Sequence, residues 1–545
     1  MKTRIILALA ITVMMGSSCA KFLNEPYRGS QNLDSYFVTQ DECVNYITTC
    51  YNSITYYGWW QISNFWLLAE MCTDDAWMGN TTQPQTDYIS IAHFQGIGQT
   101  NSAITNFYQQ RYRGILRCNV AIVRIPESPY NNEAMKARLV AEAKFLRAYY
   151  YFELVRAFGG VPITNDFMMP DEVIGITRNT AEEVWEQVEK DLKEAAEVLP
   201  NRSQYAASDL GRATKGAALG LLGKAYIYQE KWAEAKTVLK QVIDSGEYSL
   251  MENFGDVWDI STNNNKESLF ETQTFYTTSY SLGNAIPTVA GNRSEINDGW
   301  AWGLPSSDLE QAYIDAGDAE RLRWTIIKHG AKEIPGEPDF DELVQRLKDR
   351  WGDDKVTGYY IDPDMHKSAR VCRKIYIPLG KRQSARWDQD HIPLNQRILR
   401  LADVYLLYAE ACNETGDDAN AREYLNKVRV RAKMPEVTVG GKDLQKAIRL
   451  ERRLELAFEN NRLWDIRRWT DDNGKKVMCN LMGPNGSFVL RNTNEATADP
   501  YEWANQKELS NKGATFQENR DLLFPIPLHE ITMSNGTIEQ NPGWN

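Results

Sequence analysis

The chain is poor in the residues that most often carry catalysis. It has 545 residues but only five histidines, and none stands in an HExxH motif or at another zinc-ligand spacing. Neither a GxSxG nucleophile motif nor a phosphate-binding P-loop occurs. Nucleophilic and metal-assisted hydrolysis therefore have no support in the sequence, and we predict that the protein is not an enzyme.

Cysteine pairs and an excess of positive charge are also missing. The eight cysteines are scattered without a CxxC pair, so neither a zinc site nor a disulfide framework is indicated. One disulfide, such as Cys43 with Cys50, stays open, although free buried thiols are favoured. The net charge of −12 disfavours nucleic acid as a partner, because phosphate binding needs a basic surface.

Carboxylate sites for a metal ion have little support. Asp353-Asp354 and Asp362-Pro363-Asp364 cluster the oxygen ligands that Ca²⁺ prefers, but neither follows the spacing of an EF-hand loop. We therefore expect turns at both places and predict no cofactor and no metal site. A structural calcium ion stays an unsupported alternative.

After its first twenty residues the chain has no apolar run as long as a membrane helix. At the start, Lys2 and Arg4 precede an apolar run over residues 5–15, which is followed by three small residues and Cys19. This order is typical of an export signal. We predict a signal peptide over residues 1–18, cleavage before Cys19 and a lipid anchor on its thiol, with simple secretion as the alternative.

Aromatic residues, by contrast, are abundant. The chain contains 16 Trp, 27 Tyr and 17 Phe, and its mean hydropathy of −0.50 places these rings in an otherwise polar sequence. Many of them are expected to be core. In an exported protein, Trp and Tyr faces also suit stacking on sugar rings, while nearby amides and carboxylates contact the hydroxyl groups. The composition therefore fits a protein that binds sugars.

Most long stretches have helical periodicity. Residues 141–158 place apolar side chains at helical spacing, and Gly159 predicts the end of that helix. Residues 180–199 form a second predicted helix, in which Thr180 is the N-cap and Glu183 completes a capping box.

Two later stretches repeat each other at one constant offset without gaps. Residues 216–245 and 402–432 each contain a helix, a short polar turn and another helix. The small residues Gly223 and Ala409 occupy matched positions and fit the tetratricopeptide pattern, in which paired helices approach closely. Because the two units are far apart in sequence, we predict that they pack in one helical scaffold with long insertions between them.

These patterns predict a mainly α fold. A scaffold of tetratricopeptide-like helix pairs is expected from about residues 30–250 and 395–545, within one domain over residues 19–545. The region of about residues 251–394 is rich in Trp, Gly and Asn and is predicted to be a large loop-rich ligand region inserted into the scaffold.

Residues 444–469 are predicted to form another helix pair or a broken helix. Four charged residues of this stretch follow helical steps of three and four. They are Arg452, Glu455, Glu459 and Arg462. We expect them to pair with one another on the outer surface, as a structural feature rather than an anion site, while Phe458, Trp464 and Ile466 pack inward.

Two clusters combine aromatic rings with amides or charged groups and are the candidate ligand-binding sites. The first consists of Tyr56, Tyr57, Trp59, Trp60, Asp74, Asp75 and Trp77. The second consists of Tyr276, Asn292, Arg293, Asp298, Trp300 and Trp302. The residues selected from them as ligand-binding are Tyr57, Trp59, Asp75, Trp77, Tyr276, Asn292, Arg293, Trp300 and Trp302.

Some of these rings also have a structural interpretation. Trp60 and the nearby Trp66 are expected to belong to the core, packed against the first helix. Trp300 and Trp302 lie in a context rich in Gly, Asn and Asp and are expected to be exposed.

Three acidic residues beside the first cluster, Glu70, Asp74 and Asp75, invite comparison with a glycosidase. That chemistry needs two carboxylates roughly 5–10 Å apart. In a chain with 73 acidic residues, clustered carboxylates are more often solvated or act as hydrogen-bond acceptors, so we predict that these three are not catalytic.

Five segments of the chain together carry the signature of one family. In chain order they are SCAKFLNEP (residues 18–26), RAYYYFELVRAFGGVPI (147–163), the helix pair of residues 216–250 that ends in SGEYSL, IRLERRLELAFENNRLWDIRRW (448–469) and the tail FPIPLHEI…QNPGW. They span nearly the whole mature chain, which thereby resembles the SusD/RagB family of Bacteroidota outer-membrane lipoproteins.

The resemblance implies a helical, tetratricopeptide-like scaffold with a loop-rich ligand region, held at the cell surface by its lipid. It implies a binding protein that captures an oligo- or polysaccharide and delivers it to a SusC-like TonB-dependent transporter in the outer membrane. In this family the ligand surface draws on the early loops and the long insertion, where both candidate clusters lie. A RagB-like lid that binds peptides, and a surface protein that makes only protein contacts, stay open as alternatives.

Overall fold

The computed structural model describes residues 33, 35–54, 69–79, 86–168, 172–276, 283–295, 299–362, 366–382, 392–493, 497, 500–510 and 512–544. Helices dominate these ranges. In chain order the α-helices are α1 (Gln40–Asn52), α2 (Thr86–His93), α3 (Ser102–Glu127), α4 (Glu133–Phe158), α5 (Ala181–Val198), α6 (Lys215–Tyr228), α7 (Trp232–Asp244), α8 (Ile286–Val289), α9 (Ser307–Ala316), α10 (Ala319–Thr325), α11 (Phe340–Trp351), α12 (Leu401–Glu414), α13 (Asp418–Arg431), α14 (Gly441–Glu455), α15 (Arg462–Arg468), α16 (Val477–Leu481), α17 (Glu518–Asp521) and α18 (Leu528–Met533).

Short strands in the described ranges pair into antiparallel ladders of two. The strands are β1 (Ala76–Trp77), β2 (Ser268–Glu271), β3 (Leu304–Pro305), β4 (Ile326–Lys328), β5 (Arg370–Cys372), β6 (Arg397–Arg400), β7 (Leu490–Asn492) and β8 (Lys507–Ser510). The ladders are β1 with β3, β2 with β6, β4 with β5, and β7 with β8. Strand β2 lies near the start of the long insertion and β6 follows its end. Their pairing therefore brings the two ends of the insertion together at the scaffold.

The two repeated units pack against each other in one helical scaffold. Helices α6 and α7 form the first pair, α12 and α13 form the second, and α7 packs on α12. A Cβ atom on Gly223 would lie 2.4 Å from Leu239 Cδ2, so glycine is needed for α6 and α7 to approach this closely. The predicted mainly α scaffold of tetratricopeptide-like pairs is confirmed.

Helix ends follow their local sequence signals. Thr180 caps α5, accepting from Glu183 N at 3.2 Å while its own N–H donates to Glu183 Oε2 at 2.9 Å. Gly159, at a φ of 72°, follows the last residue of α4. Both predicted boundaries are confirmed, although α4 begins at Glu133, earlier than the periodicity indicated.

The expected outer row of charges around α14 is wrong. Arg452 is only 1% exposed and Glu455 is fully buried, as deeply as the apolar neighbours that we expected to pack inward. Arg452 donates to Asp403 on α12 at 2.8 Å and to Asp465 on α15 at 2.9 Å. Other helices cover this face of α14, and they supply the carboxylates that bind Arg452. The charged side chains three and four positions apart on α14 therefore do not pair with each other.

Arg400, at the end of β6, is the centre of this buried network. Its guanidinium donates to Glu267 Oε1 at 2.7 Å, to Glu455 Oε1 at 2.6 Å and to Glu459 Oε2 at 2.7 Å. Those carboxylates raise the pKa of Arg400 well above its ordinary value. Lys374 adds a second cation to Glu459, at 2.7 Å. The ends of the insertion and the helical scaffold are thus joined by one ion cluster.

The buried apolar residues divide into a large core under the helices and a small core inside the insertion. The small core contains Leu343 and Leu347 of α11, Ile327 of β4 and Tyr359. Part of the region expected to be loop-rich therefore has a hydrophobic centre of its own, which holds its loops in place.

The cysteines from Cys43 to Cys479 are buried and free, and Cys43 is not bridged to Cys50. The preferred reading, free buried thiols, is confirmed for them. Cys19 lies outside the described residues, as do Pro363 and Asp364 of the second candidate calcium turn.

Within the described ranges, no helix combines the length and the apolar character needed to cross a membrane. The same ranges contain no group of three or more His, Cys, Asp or Glu side chains arranged to hold a metal ion.

Replacement of Arg400 by methionine should strongly destabilise the protein. The variant Arg400→Met leaves the carboxylates of Glu267, Glu455 and Glu459 buried without their central cation, a change that typically costs about 3–5 kcal/mol. Urea denaturation measures the free energy of unfolding. The matched control is Lys442→Met, whose partner Asp472 is 60% exposed, and it should lose less than about 1 kcal/mol. Equal losses in the two variants would contradict a central role for Arg400.

Candidate functional site

The second candidate cluster lies on a loop that folds back on itself. The tryptophan loop, as we call residues 288–295 and 299–302, is closed by backbone hydrogen bonds between its two arms. Trp300 N donates to Thr288 O at 2.9 Å, and Trp302 N donates to Val289 O at 3.0 Å. The position of each tryptophan is therefore set by the backbone of the opposite arm.

Two glycines allow the arms of the tryptophan loop to touch. A Cβ atom built on Gly299 would lie 2.3 Å from the carbonyl carbon of Gly291, a distance that no side chain tolerates. The following residue, Ala301, has a φ of 60°, which turns the chain sharply between the two tryptophans. These backbone features place Trp300 and Trp302 in different environments although only one residue separates them.

The expected exposure of Trp302 is wrong. Its indole is 4% exposed, belongs to the large core and lies 4.9 Å from the ring of Tyr88 on α2. Strand β3 begins two residues after Trp302 and pairs with β1, so that Leu304 lies opposite Trp77. This pairing holds Trp302 in the interior. Burial of a large aromatic surface outweighs the polar character of the surrounding sequence.

Trp300 has a different environment. Its ring is half-buried and meets the ring of Trp302 edge-on, at a centroid distance of 5.5 Å and an angle of 61°. The buried indole thus supports the outer one from below. Tyr276 is half-buried as well, at the end of the segment that follows β2.

Asn292 and Arg293 follow on the first arm. The structure does not support a ligand role for the Asn292 amide, because the side chain is buried and donates to Tyr360 O at 2.9 Å. Its Oδ1 atom accepts from Ser294 N at 2.9 Å, which leaves the amide occupied in holding the loop. Arg293 is half-buried, and its backbone N–H donates to His366 Nε2 at 2.8 Å.

The structure adds a row of rings that the sequence analysis did not select. The ring row, as we call Trp351, Tyr360, His329 and Tyr501, has successive centroid distances of 5.4, 5.4 and 4.5 Å. His329 and Tyr501 are stacked at 18°. The indole N–H of Trp351 donates to Ser294 O at 2.9 Å, so the row adjoins the tryptophan loop.

Three members of the ring row, Trp351, His329 and Tyr501, are half-buried, and Tyr360 is buried. No local signal marks these residues as one group, because they come from four separate places along 173 positions. The row is supported from behind by the small core, to which Tyr360 belongs and against which Trp351 packs.

His366 is the buried anchor of the tryptophan loop. Its Nε2 atom accepts the Arg293 N–H, so the ring is neutral and carries its proton on Nδ1. Burial, together with the nearby Arg293 charge, lowers the pKa of His366 to about 3. The loop therefore depends on a histidine that stays uncharged in the fold.

The described residues of the first candidate cluster are buried. Tyr57 and Trp59 lie outside the described residues, as do Tyr56, Trp60 and Trp66. The structure does not support the expected ligand roles of Asp75 and Trp77, because both side chains are buried around β1. Pairing of β1 with β3 places this segment in the interior of the protein.

The acidic residues of this segment are hydrogen-bond acceptors for arginine. Asp75 accepts from Arg453 Nε at 2.7 Å, and Asp74 accepts from Arg462 Nη2 at 2.7 Å. The two guanidinium groups hold the pKa of Asp74 well below its usual range, despite complete burial. Glu70 has no arginine partner among the described residues, and burial raises its pKa to about 8. The interpretation of Asp74 and Asp75 as hydrogen-bond acceptors agrees with this geometry.

The described candidate site is therefore the tryptophan loop with the adjoining ring row. It offers half-buried ring faces at the join between the two cores, and Arg293 lies on the loop between the residues that bond to Tyr360 and to Trp351. Flat apolar faces bordered by polar groups can stack on the C–H surface of a sugar and contact its hydroxyl groups.

Comparison with known proteins gives a consistent result along the chain. A family model described as "SusD family" matches residues 266–544, more than half of the chain. A second model, described as "Starch-binding associating with outer membrane", matches residues 21–227. The two matches cover both the helical scaffold and the insertion.

Individual relatives cover most of the chain at low identity. The SusD-like protein P25 of Formosa agariphila is 24% identical over 490 residues, which are 86% of this chain and 90% of that protein. A SusD-like protein of Bacteroides ovatus is 26% identical over 86% of this chain and 83% of its own length.

Solved structures share the fold. A laminarin-binding SusD-like protein superposes with a TM-score of 0.73 at 25% identity, over 93% of this chain and all of its own. A SusD-like carbohydrate-binding protein from Bacteroides fragilis has a TM-score of 0.75 at 23% identity, over 92% of this chain and 99% of its own, a likeness of fold alone.

The buried state of His366 predicts a loss of stability in mild acid. The unfolded chain takes up a proton at His366 near the ordinary pKa of 6.5, whereas the folded protein does so only near 3. Between these values the unfolded chain binds the extra proton, so the free energy of unfolding falls as the pH falls. From pH 7 to pH 5 the wild type should lose about 2 kcal/mol more than His366→Gln, which does not titrate.

Urea denaturation at the two pH values tests this prediction. The control is His529→Gln, because His529 is exposed on α18 and its replacement should leave the pH dependence of the wild type unchanged. Identical pH dependence in the wild type and His366→Gln would show that His366 is not kept neutral by the fold.

Proposed function

The chain belongs to the SusD family, and on that premise we propose that it binds a glycan at the tryptophan loop and the ring row. The observation that carries the proposal is the set of half-buried rings, including Trp300, Trp351 and Tyr501, at the join between the two cores. Laminarin binding by a relative with the same fold supports a glycan as the ligand class.

The binding role is not catalytic. Asp74 and Asp75 are committed to Arg462 and Arg453, and they lie buried under the chain rather than beside the ring row. A glycosidase needs two carboxylates that reach one sugar from opposite sides, and this pair does not offer that access. A shallow ring surface instead predicts weak, reversible capture, with Kd between about 10 µM and 1 mM for short sugars.

The cellular role follows from the start of the chain together with the family. Its signal sequence and Cys19 support a lipoprotein held at the outer membrane, and one matching family model is described as associating with that membrane. At the cell surface the protein would present captured oligo- or polysaccharide to a SusC-like TonB-dependent transporter. Radiolabelled palmitate incorporation that is lost in Cys19→Ala tests the anchor, and co-purification from detergent-solubilised membranes tests the transporter.

Removal of the Trp300 ring should weaken glycan binding without unfolding the protein. The variant Trp300→Ala loses a stacking face worth about 1 kcal/mol, which is roughly a fivefold rise in Kd. Isothermal titration calorimetry against laminarin, starch and xylan oligosaccharides measures the change, and circular dichroism gives Tm. Unchanged affinity with unchanged Tm would remove Trp300 from the site.

Two further variants separate binding from packing. Trp232→Ala removes a half-buried indole from helix α7 of the scaffold and should leave glycan affinity unchanged. Trp302→Ala removes the buried support and should lower the free energy of unfolding by about 3–5 kcal/mol. If the wild type binds none of the glycans but binds peptide pools, the proposed ligand class is wrong.

A further inference from the structure

The guanidinium group of Arg293 stands apart from the other arginines of the insertion. Within the described residues it makes no hydrogen bond and no ion pair, and only its backbone N–H is bonded. The neighbouring arginines that have acceptors are Arg350 on Glu295 O, Arg370 on Glu310 and Arg373 on Pro335 O. A half-buried guanidinium without a protein acceptor keeps its N–H donors available to water or to a ligand.

The acidic group next along the chain is not available to Arg293. Glu295 is buried, accepts from the Tyr359 hydroxyl and forms an ion pair with Arg382. The Glu295 carboxylate therefore already has hydrogen-bond and ion-pair partners beside the small core. Among the described residues, no carboxylate therefore pairs with the Arg293 guanidinium.

The backbone around Arg293 holds it in place. Asn292 is fixed to Tyr360 O, Arg293 N is fixed to His366, and Ser294 O accepts from Trp351. The side chain thus starts from a rigid point one residue away from the ring row. A guanidinium on a side chain that is anchored this close to an aromatic surface can contact a sugar substituent while the sugar ring stacks.

We propose that Arg293 makes this site selective for glycans that carry an anionic group, either the carboxylate of a uronic acid or a sulfate ester. This inference rests on the proposed glycan-binding function. The planar guanidinium fork matches the paired oxygens of both groups and binds them through two parallel hydrogen bonds. A neutral glycan offers only hydroxyl groups, which leave the cation without a counter-charge.

The overall charge of the protein does not decide this preference. The net charge of −12 repels polyanions at long range, but at 0.15 M salt such repulsion is screened beyond about 8 Å. Contact chemistry at Arg293 therefore governs the choice between acidic and neutral ligands at physiological ionic strength.

Matched pairs of glycans test the proposal on the full mature protein. Polygalacturonate is compared with its fully methyl-esterified form, and dextran sulfate with dextran, by isothermal titration calorimetry in 0.15 M salt. The acidic member of at least one pair should bind at least tenfold more tightly. The pair that shows the preference identifies carboxylate or sulfate as the group recognised.

Variants then assign the preference to one side chain. Arg293→Met should abolish the difference within the pair and leave Tm unchanged, whereas Arg293→Lys should keep part of it through its charge. The control Arg113→Met removes an exposed arginine from helix α3 and should keep the full preference.

The outcomes separate this inference from the proposed function. Equal affinity within both pairs, or a preference that survives in Arg293→Met, overturns the role of Arg293. If the protein binds laminarin, starch or xylan but shows no preference for acidic glycans, the role of Arg293 is overturned while the proposed glycan binding is kept. No binding to any glycan overturns both.

Discussion

A single buried guanidinium, that of Arg400, connects the parts of the chain on which the remaining structure depends. Its three carboxylate partners are Glu267, directly before β2 of the insertion, Glu455 at the end of α14, and Glu459 four residues later. A buried ion that loses its counter-ion is strongly destabilised, so these segments cannot part without a large loss of free energy. The helical frame is therefore fixed at the place where the ligand-bearing region is attached.

The candidate site gains its rigidity from lying between two cores. Trp302 belongs to the core under the helices, whereas Ala301 and Tyr360 belong to the core inside the insertion. A loop held on both sides is already ordered before a ligand arrives, so binding loses less conformational entropy. This arrangement suits a shallow surface, where each contact contributes little and disorder in the free protein would remove most of the affinity.

Local and repeated sequence signals predicted the scaffold, whereas the burial of the site residues depends on pairing between segments that are distant in sequence. The capping box of Thr180 and the close approach at Gly223 depend on residues near in sequence, and both are as expected. Trp300 and Trp302 share one polar context, yet β3 buries only the second. The charges of α14 were predicted to face outward because their partners on α12 and β6 are distant in sequence, and the ring row was missed for the same reason.

The burial of the cysteines offers a way to measure local opening of the folded protein. Burial raises the pKa of Cys72 and of Cys372 to about 12, so almost no reactive thiolate exists at neutral pH. Both side chains belong to the large core, although Cys372 lies on β5 of the insertion. The rate at which a maleimide modifies each thiol would report how often the large core opens at these two places, without any engineered label.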